Sequence, residues 1–201
     1  METKIICISR EFGSGGHETA VKTAAKLGIK VFEKELFHMA CRYGEVAEKT
    51  LRDSDERAMN PFLFQGVFEG NYHVIRGLPT SEVLFSLQSH EIMRIAKRES
   101  CIIVGRCADF VLRDEAEIKL LRVFVSAPFG QRVQRKMEQE QLSRDKATRL
   151  IKKMDKQRRQ YCEHYTSHPW GDPRYYDMNI DVSATGIDAA VEMISQRYYC
   201  L

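Results

Sequence analysis

The sequence contains no apolar run approaching the roughly 20 residues that a membrane-spanning helix requires. A helical membrane anchor is therefore not expected. It contains no CxxC pair, and its six cysteines (Cys7, Cys41, Cys101, Cys107, Cys162 and Cys200) follow no regular spacing. That excludes a disulfide framework and a ribbon-type zinc site. Nothing like a secretory signal opens the chain, because Met1-Glu2-Thr3-Lys4 runs directly into an apolar stretch. Together these absences predict a reduced, cytoplasmic setting. There is no strong basic block either. The 31 basic residues face 28 acidic ones, leaving a net charge of +3, too weak a bias to call for nucleic acid. No internal repeat and no low-complexity tract is found.

What is present is a globular composition. Hydrophobic residues make up 43% of 201, enough for a sizeable core in one domain over 1–201. Apolar runs at Ile5–Ser9, Lys30–Phe32, Ile102–Val104, Leu120–Ser126 and Met178–Val182 read as strands. They are continuous rather than alternating, as strands covered on both faces should be. Helical patterns lie between them at Gly16–Leu27, Lys34–Tyr43, Ser81–Arg98, Ala108–Leu112, Phe129–Glu140, Ser143–His164 and Gly186–Tyr198. This alternation predicts an α/β fold with a parallel, five-stranded sheet flanked by helices. Ser143 suits an N-cap, Pro128 a helix entry and Gly28 a C-cap. Over 52–80 the periodicity fails, and Phe62, Phe64, Phe68 and Tyr72 stand among glycines and prolines. An irregular insertion is expected there, with its aromatics packed on the core or on a partner.

Four motifs carry chemistry. The first strand runs into Arg10-Glu11-Phe12-Gly13-Ser14-Gly15-Gly16-His17-Glu18, and a helix follows. Glycines let backbone N–H groups converge on an anion, and the helix points its positive end at the same place. Gly13, Ser14, Gly15, Gly16, His17 and Glu18 are therefore the candidate phosphate cradle. The usual loop of this kind ends in Gly-Lys-Ser/Thr, where the lysine reaches the β/γ-phosphates and the hydroxyl holds Mg²⁺. Here Gly15, Gly16 and His17 fill those positions. His17 and Arg10 are the candidate replacements for the lysine, and Ser14 is the best nearby hydroxyl for Mg²⁺, ahead of Thr19.

The second motif is Gly105-Arg106 at the end of a buried strand, where ligands of open α/β sheets bind. Arg106 offers a planar fork for phosphate, and Asp109 could accept from a base or ribose hydroxyl. The third is an arginine series, Arg132, Arg135, Arg149, Arg158 and Arg159, on two consecutive helices. It suits a helical lid over 129–164 that brings cations to a transferring group; an ordinary solvated helix pair is the alternative. The fourth is the run from Tyr161 to Asp172, with Trp170. His164 and His168 are four apart and near Cys162, but no second ligand cluster supports a metal. An aromatic loop docked near the site or at a dimer contact is expected instead.

These residues resemble the cytidylate kinase-like family within the P-loop nucleoside monophosphate kinases. Ile8-Ser9-Arg10-Glu11-Phe12-Gly13-Ser14-Gly15-Gly16-His17-Glu18 is similar to its N-terminal signature, and Ile103-Val104-Gly105-Arg106-Cys107-Ala108-Asp109 to its second. Arg158-Arg159 through Tyr165-Thr166, Trp170-Gly171-Asp172 and Tyr176-Asp177 resemble its third. The resemblance implies a three-layer P-loop NTPase-type fold with a helical lid, ATP and Mg²⁺ as cofactors, and phosphoryl transfer to a nucleoside monophosphate, CMP or dCMP favoured. It implies that Arg106 holds the acceptor phosphate, with Arg158, and that Arg132, Arg135 and Arg158 assist transfer; beside it, the residues themselves offer Asp109 and Glu33 to the acceptor and His17 to the transferring group. Glu33 occupies a place where the family usually has Asp. True cytidylate kinases carry Lys, Asp and an acidic residue where this chain has Gly16, Cys107 and Ser126.

Two other functions remain open on the sequence. One is a nucleotide-binding protein that has lost transfer, as the missing lysine suggests. The other is a kinase for a different small metabolite, for which an alcohol acceptor would call for a base, Asp109 or Glu33. Nucleotides are the expected partners, with no nucleic acid and no membrane, and a second copy of the chain is the candidate protein partner.

Overall fold

The computed structural model describes residues 2–52, 55 and 80–201. Five strands form one sheet: β1 (Thr3–Arg10), β2 (Lys30–Phe32), β3 (Cys101–Val104), β4 (Ile118–Ser126) and β5 (Met178–Asp181). Their order is β2-β3-β1-β4-β5, and every pairing is parallel. Parallel neighbours need crossovers, which the helices supply. These are α1 (Gly16–Leu27), α2 (Glu35–Tyr43), α3 (Glu48–Leu51), α4 (Thr80–Ala96), α5 (Ala108–Val111), α6 (Phe129–Glu140), α7 (Arg144–Thr166), α8 (Val182–Thr185) and α9 (Ile187–Tyr199).

The side-chain period of β1 divides the core in two. Ile6 and Ile8 face Ala20 and Ala24 of α1 and Ala190 and Ile194 of α9. Ile5 and Cys7 face Ile92, Ile95 and Ala96 of α4, with Leu36 and Ala108. Both faces are covered, which explains the continuous apolar runs in the strands. The expected caps form. Gly28 takes φ 66° and donates its N–H to Ala24 O, and the Ser143 hydroxyl accepts from Lys146 N–H at the start of α7.

Small differences have local causes. The last strand stops at Asp181, not Val182, because Asp181 Oδ1 accepts from Ser183 N–H at 2.9 Å and so caps α8. α3 and α8 are single turns, too short to leave a periodic signature. The 52–80 insertion, with Phe62, Phe64, Phe68 and Tyr72, lies almost wholly outside the described residues.

The sheet order places β1 between β3, reached through β2, and β4 on its other side. The turns after β1 and β3 therefore emerge together, and Gly105 N–H donates to Ile8 O at 3.0 Å. Over them lie α6 and α7, whose Val133, Ala147 and Ile151 form a small core with Phe12 of the first turn.

Candidate active site

The turn after β1 is shaped by its glycines. Gly13 sits at φ 81° and Gly15 at φ 99°, the left-handed region that a side chain resists. Ser14 is fully buried. Its hydroxyl donates to Glu11 O at 2.9 Å and accepts from Gly16 N–H at 3.3 Å. Thr19 is also buried, and its Oγ1 donates to Gly15 O at 3.1 Å. Both hydroxyls brace the loop from inside. Neither is presented to a metal ion in this arrangement, and the carboxylates that line the space above the loop are Glu11, Glu18, Glu33 and Asp55.

That space is a cavity of about 420 Å³. Two observations suit it to an anion. A Cβ on Gly15 would collide with Arg135 Nη1, so the loop's bare backbone faces a guanidinium. The same Arg135 Nη1 is buried with no hydrogen-bond partner among the described residues, a costly state that an anion would relieve. His17 is different. Its side chain is 67% exposed, and its Nδ1 lies 2.5 Å from Glu33 Oε2. The other Glu33 oxygen takes Arg10 Nη2 at 2.7 Å.

Arg106 begins from strained backbone. Gly105, Arg106 and Cys107 are successive left-handed residues, at φ 76°, 60° and 52°. Two non-glycine residues in that region cost on the order of 1–3 kcal/mol each and persist where surroundings enforce them, often at functional sites. The turn directs a guanidinium that is 4% exposed onto Asp55, with Nη1–Oδ1 at 2.7 Å and Nη2–Oδ2 at 3.0 Å. Asp55 also accepts from Gln88 Nε2 at 3.1 Å.

Arg132 lies behind the loop rather than over the cavity. Its Nε donates to Ala127 O at 3.0 Å and its Nη1 to Phe12 O at 3.1 Å. Nη1 also meets Asp155 Oδ2 at 2.6 Å, and Nη2 meets Glu11 Oε1 at 3.4 Å. Asp155 Oδ1 in turn accepts from Phe12 N–H at 2.8 Å, and Glu11 Oε2 from Ala127 N–H at 3.1 Å. Arg132 thus ties α6, α7 and the loop into one unit. Arg158 reaches in from α7, donating from Nη1 to Arg10 O at 3.1 Å with its guanidinium 5.4 Å from the Phe12 ring centre.

Beside the large cavity is a recess of about 30 Å³, lined by Ser9, Cys107, Asp109, Tyr161, Cys162 and Trp170. Arg10, Arg106 and Arg158 line both spaces. Burial raises the Asp109 carboxyl above its ordinary pKa, against the pull of nearby N–H groups, Arg122 and His168. A hydrogen bond with Cys107 lowers the Cys162 thiol despite its burial. The aromatic run docks around the recess. Trp170 meets Phe124 edge-on at 5.5 Å, Tyr165 stacks on Phe85 at 3.9 Å, and His168 stacks on Tyr175 at 4.0 Å. His164 is held by Glu82 at 2.9 Å. Among the described residues no cluster of three or more His, Cys, Asp or Glu side chains could hold a metal.

Asp109 gives a pH prediction. Its folded pKa is raised, so the carboxyl favours folding while protonated. That contribution is complete below the unfolded pKa, near 3.9, and disappears as pH rises through the folded value. Asp109→Asn should therefore match the parent's melting temperature at acid pH and exceed it at pH 7–8. Thermal melts across that range check it; a variant less stable at every pH would contradict the burial argument.

Of the residues chosen from sequence, Gly13, Gly15, Gly16, His17, Glu18, Glu33, Arg106, Arg135 and Arg158 line the cavity above the loop. Asp109 lines the recess, Ser14 lies inside the loop, and Arg132 lies behind it. Asp55 was missed. It stands 51 positions from Arg106 in a stretch without periodicity, and no local signal links the two.

The model of the cytidylate kinase-like family matches residues 5–184. No curated protein matches the chain. Among solved structures, an uncharacterized protein from Eubacterium ventriosum is 29% identical, with a TM-score of 0.71 over 98% of this chain and 99% of its own. A shikimate kinase from Bacteroides thetaiotaomicron is 12% identical, with a TM-score of 0.54 over 98% of each chain. A gluconokinase from Sinorhizobium meliloti is 13% identical, with a TM-score of 0.52 over 98% of this chain and 96% of its own. At these identities the two kinases show a shared fold. No helix among the described residues is long and apolar enough to cross a membrane.

Proposed function

The chain belongs to the cytidylate kinase-like family, and from that premise we propose that it transfers a phosphoryl group from ATP to a nucleoside monophosphate, a CMP-like acceptor first. One observation carries this reading: Arg10, Arg106 and Arg158 each line both the loop cavity and the recess. Two anionic substrates that meet need cations at their boundary, and that is where these three stand.

The chain's own residues have separable tasks. Gly13, Gly15 and Gly16 give a donor polyphosphate close access to backbone N–H groups, and Arg135 faces the same place. Arg106 is the fork for the acceptor phosphate, held ready by Asp55. Arg158, anchored on Arg10 O, joins the two sides. Arg132 fixes the loop's position. ATP supplies the transferable group, and Mg²⁺ bound to its phosphates supplies charge neutralisation. Ser14 is used within the loop, so Mg²⁺ would enter with the donor's phosphates rather than on a loop hydroxyl. A monophosphate is already ionised at its attacking oxygen, so this chemistry requires no general base.

A second reading has its own observation. Asp109 is a carboxyl with raised pKa in the recess, and an alcohol acceptor would call for such a base. The recess, at about 30 Å³, holds little more than water, so any acceptor must widen it.

The test is phosphoryl transfer from Mg·ATP to a panel of nucleoside monophosphates, CMP and dCMP first, with hydroxylated metabolites beside them. Transfer to a monophosphate that survives Asp109→Asn is the expected result. Transfer only to a hydroxyl acceptor, abolished by Asp109→Asn, would replace the first reading with the second. ATP binding without transfer to any member would leave a binding protein.

A further inference from the structure

We infer that Arg10 takes the place of the missing loop lysine, through an exchange of two residues. In the pattern G-x-x-x-x-G-K-[ST] a glycine opens the loop, and the lysine follows six positions later. Here those positions hold Arg10 and Gly16. The cation and the glycine have changed places.

The structure supplies the reason they change together. A Cβ on Gly16 would stand 2.6 Å from Arg10 Cβ and 3.1 Å from its Cγ. The Arg10 stem fills the space over the first residue of α1, and only glycine fits beneath it. With the backbone placed so, a side chain at 16 and a side chain at 10 exclude each other. Arg10 is only 6% exposed, yet it lines the loop cavity and the recess. Its guanidinium is paired with Glu33, which lines the same cavity, and so stands beside the space above the loop.

Glu33 is a resident counter-ion of Arg10. Its two oxygens take Arg10 and His17 beside the N-terminal end of α1, where the helix dipole favours negative charge. An arriving γ-phosphate carries more charge than the carboxylate and suits the same fork, so it takes Arg10 from Glu33. His17, largely exposed and paired to Glu33, serves the carboxylate rather than the phosphate. The inference rests on the kinase reading only as far as polyphosphate binding at the loop.

The experiment is calorimetric titration with Mg·ATP, Mg·ADP, inorganic tripolyphosphate and pyrophosphate. The variants are Arg10→Met, Gly16→Lys, the double variant Arg10→Gly/Gly16→Lys, and Glu33→Gln, with thermal melts to verify folding. Arg10→Met keeps the stem without the charge. It should weaken ATP and tripolyphosphate binding about 10- to 100-fold, the scale of a lost charge-assisted contact, and weaken ADP and pyrophosphate much less. Glu33→Gln should keep or tighten ATP binding, because it removes a competitor. Gly16→Lys alone should melt lower, and the double variant should recover both stability and the preference for ATP over ADP.

An unchanged ATP-to-ADP ratio in folded Arg10→Met would overturn the assignment. So would a Glu33→Gln variant as impaired as Arg10→Met, which would mean that only the ion pair matters. If the double variant also fails to fold, the Arg10→Met and Glu33→Gln pair still decides. Arg10-dependent binding of tripolyphosphate without transfer to any acceptor would uphold this inference while removing the kinase reading. Absence of all polyphosphate binding by the unaltered chain would remove both.

Discussion

Arg106→Ala is expected to lower kcat/KM for phosphoryl transfer by about 10³-fold, the scale on which arginines stabilise a transferring phosphoryl group. Arg106 is 4% exposed, lines both cavities, and is held by Asp55 through two short contacts. The variant loses the fork and leaves the Asp55 carboxylate facing an anionic substrate. Arg106→Lys should recover only part of the rate, because a point charge cannot reproduce a bidentate geometry. Steady-state kinetics on the preferred acceptor provide the check. A folded Arg106→Ala enzyme with kcat/KM within roughly threefold of the parent, less than 1 kcal/mol of transition-state stabilisation, would remove Arg106 from the acceptor site.

Arg132→Ala should act chiefly on stability. Arg132 has four polar contacts, with Ala127 O, Phe12 O, Asp155 and Glu11, and is 6% exposed. Truncation strands the Asp155 carboxylate, whose side chain is itself largely covered. Breaking such a pair costs about 3–5 kcal/mol, and a chain of this size should melt on the order of 10 °C lower. Phe12 would also lose one of its two backbone hydrogen bonds to side chains, so loop geometry and transfer should fall together. Adding Asp155→Asn removes the stranded charge and should restore part of the melting temperature, a positive coupling that a double-mutant cycle reads directly. If Arg132→Ala melts like the parent but transfers poorly, Arg132 faces the phosphates and the bracing role given to it here is wrong. The two arginines are thereby separated: Arg106→Ala loses rate out of proportion to stability, whereas Arg132→Ala loses both together.

The local level was readable in the chain itself. Ile5–Ser9 and Leu120–Ser126 lie within observed strands, and Gly16–Leu27 and Phe129–Glu140 match α1 and α6, because strand and helix periods are written in nearest neighbours. Gly28 and Ser143 cap as expected, since a cap needs only its adjacent turn. The parallel sheet followed from alternation and crossover rules. The glycine loop, Arg106 and the arginine-bearing helices were visible as motifs because spacing alone defines them.

What the sequence determined, then, was the set of elements, their parallel arrangement and many of the residues that line the cavity above the loop. The tertiary structure decided which way each charge faces. It turned Ser14 inward onto Glu11 O and drew Arg132 behind the loop. It brought Asp55 to Arg106 across 51 positions and laid the Arg10 stem over Gly16. The physical reason is that a side chain's partners are chosen by three-dimensional burial. A buried guanidinium must find its acceptors wherever the packed chain puts them, and no one-dimensional period records that choice.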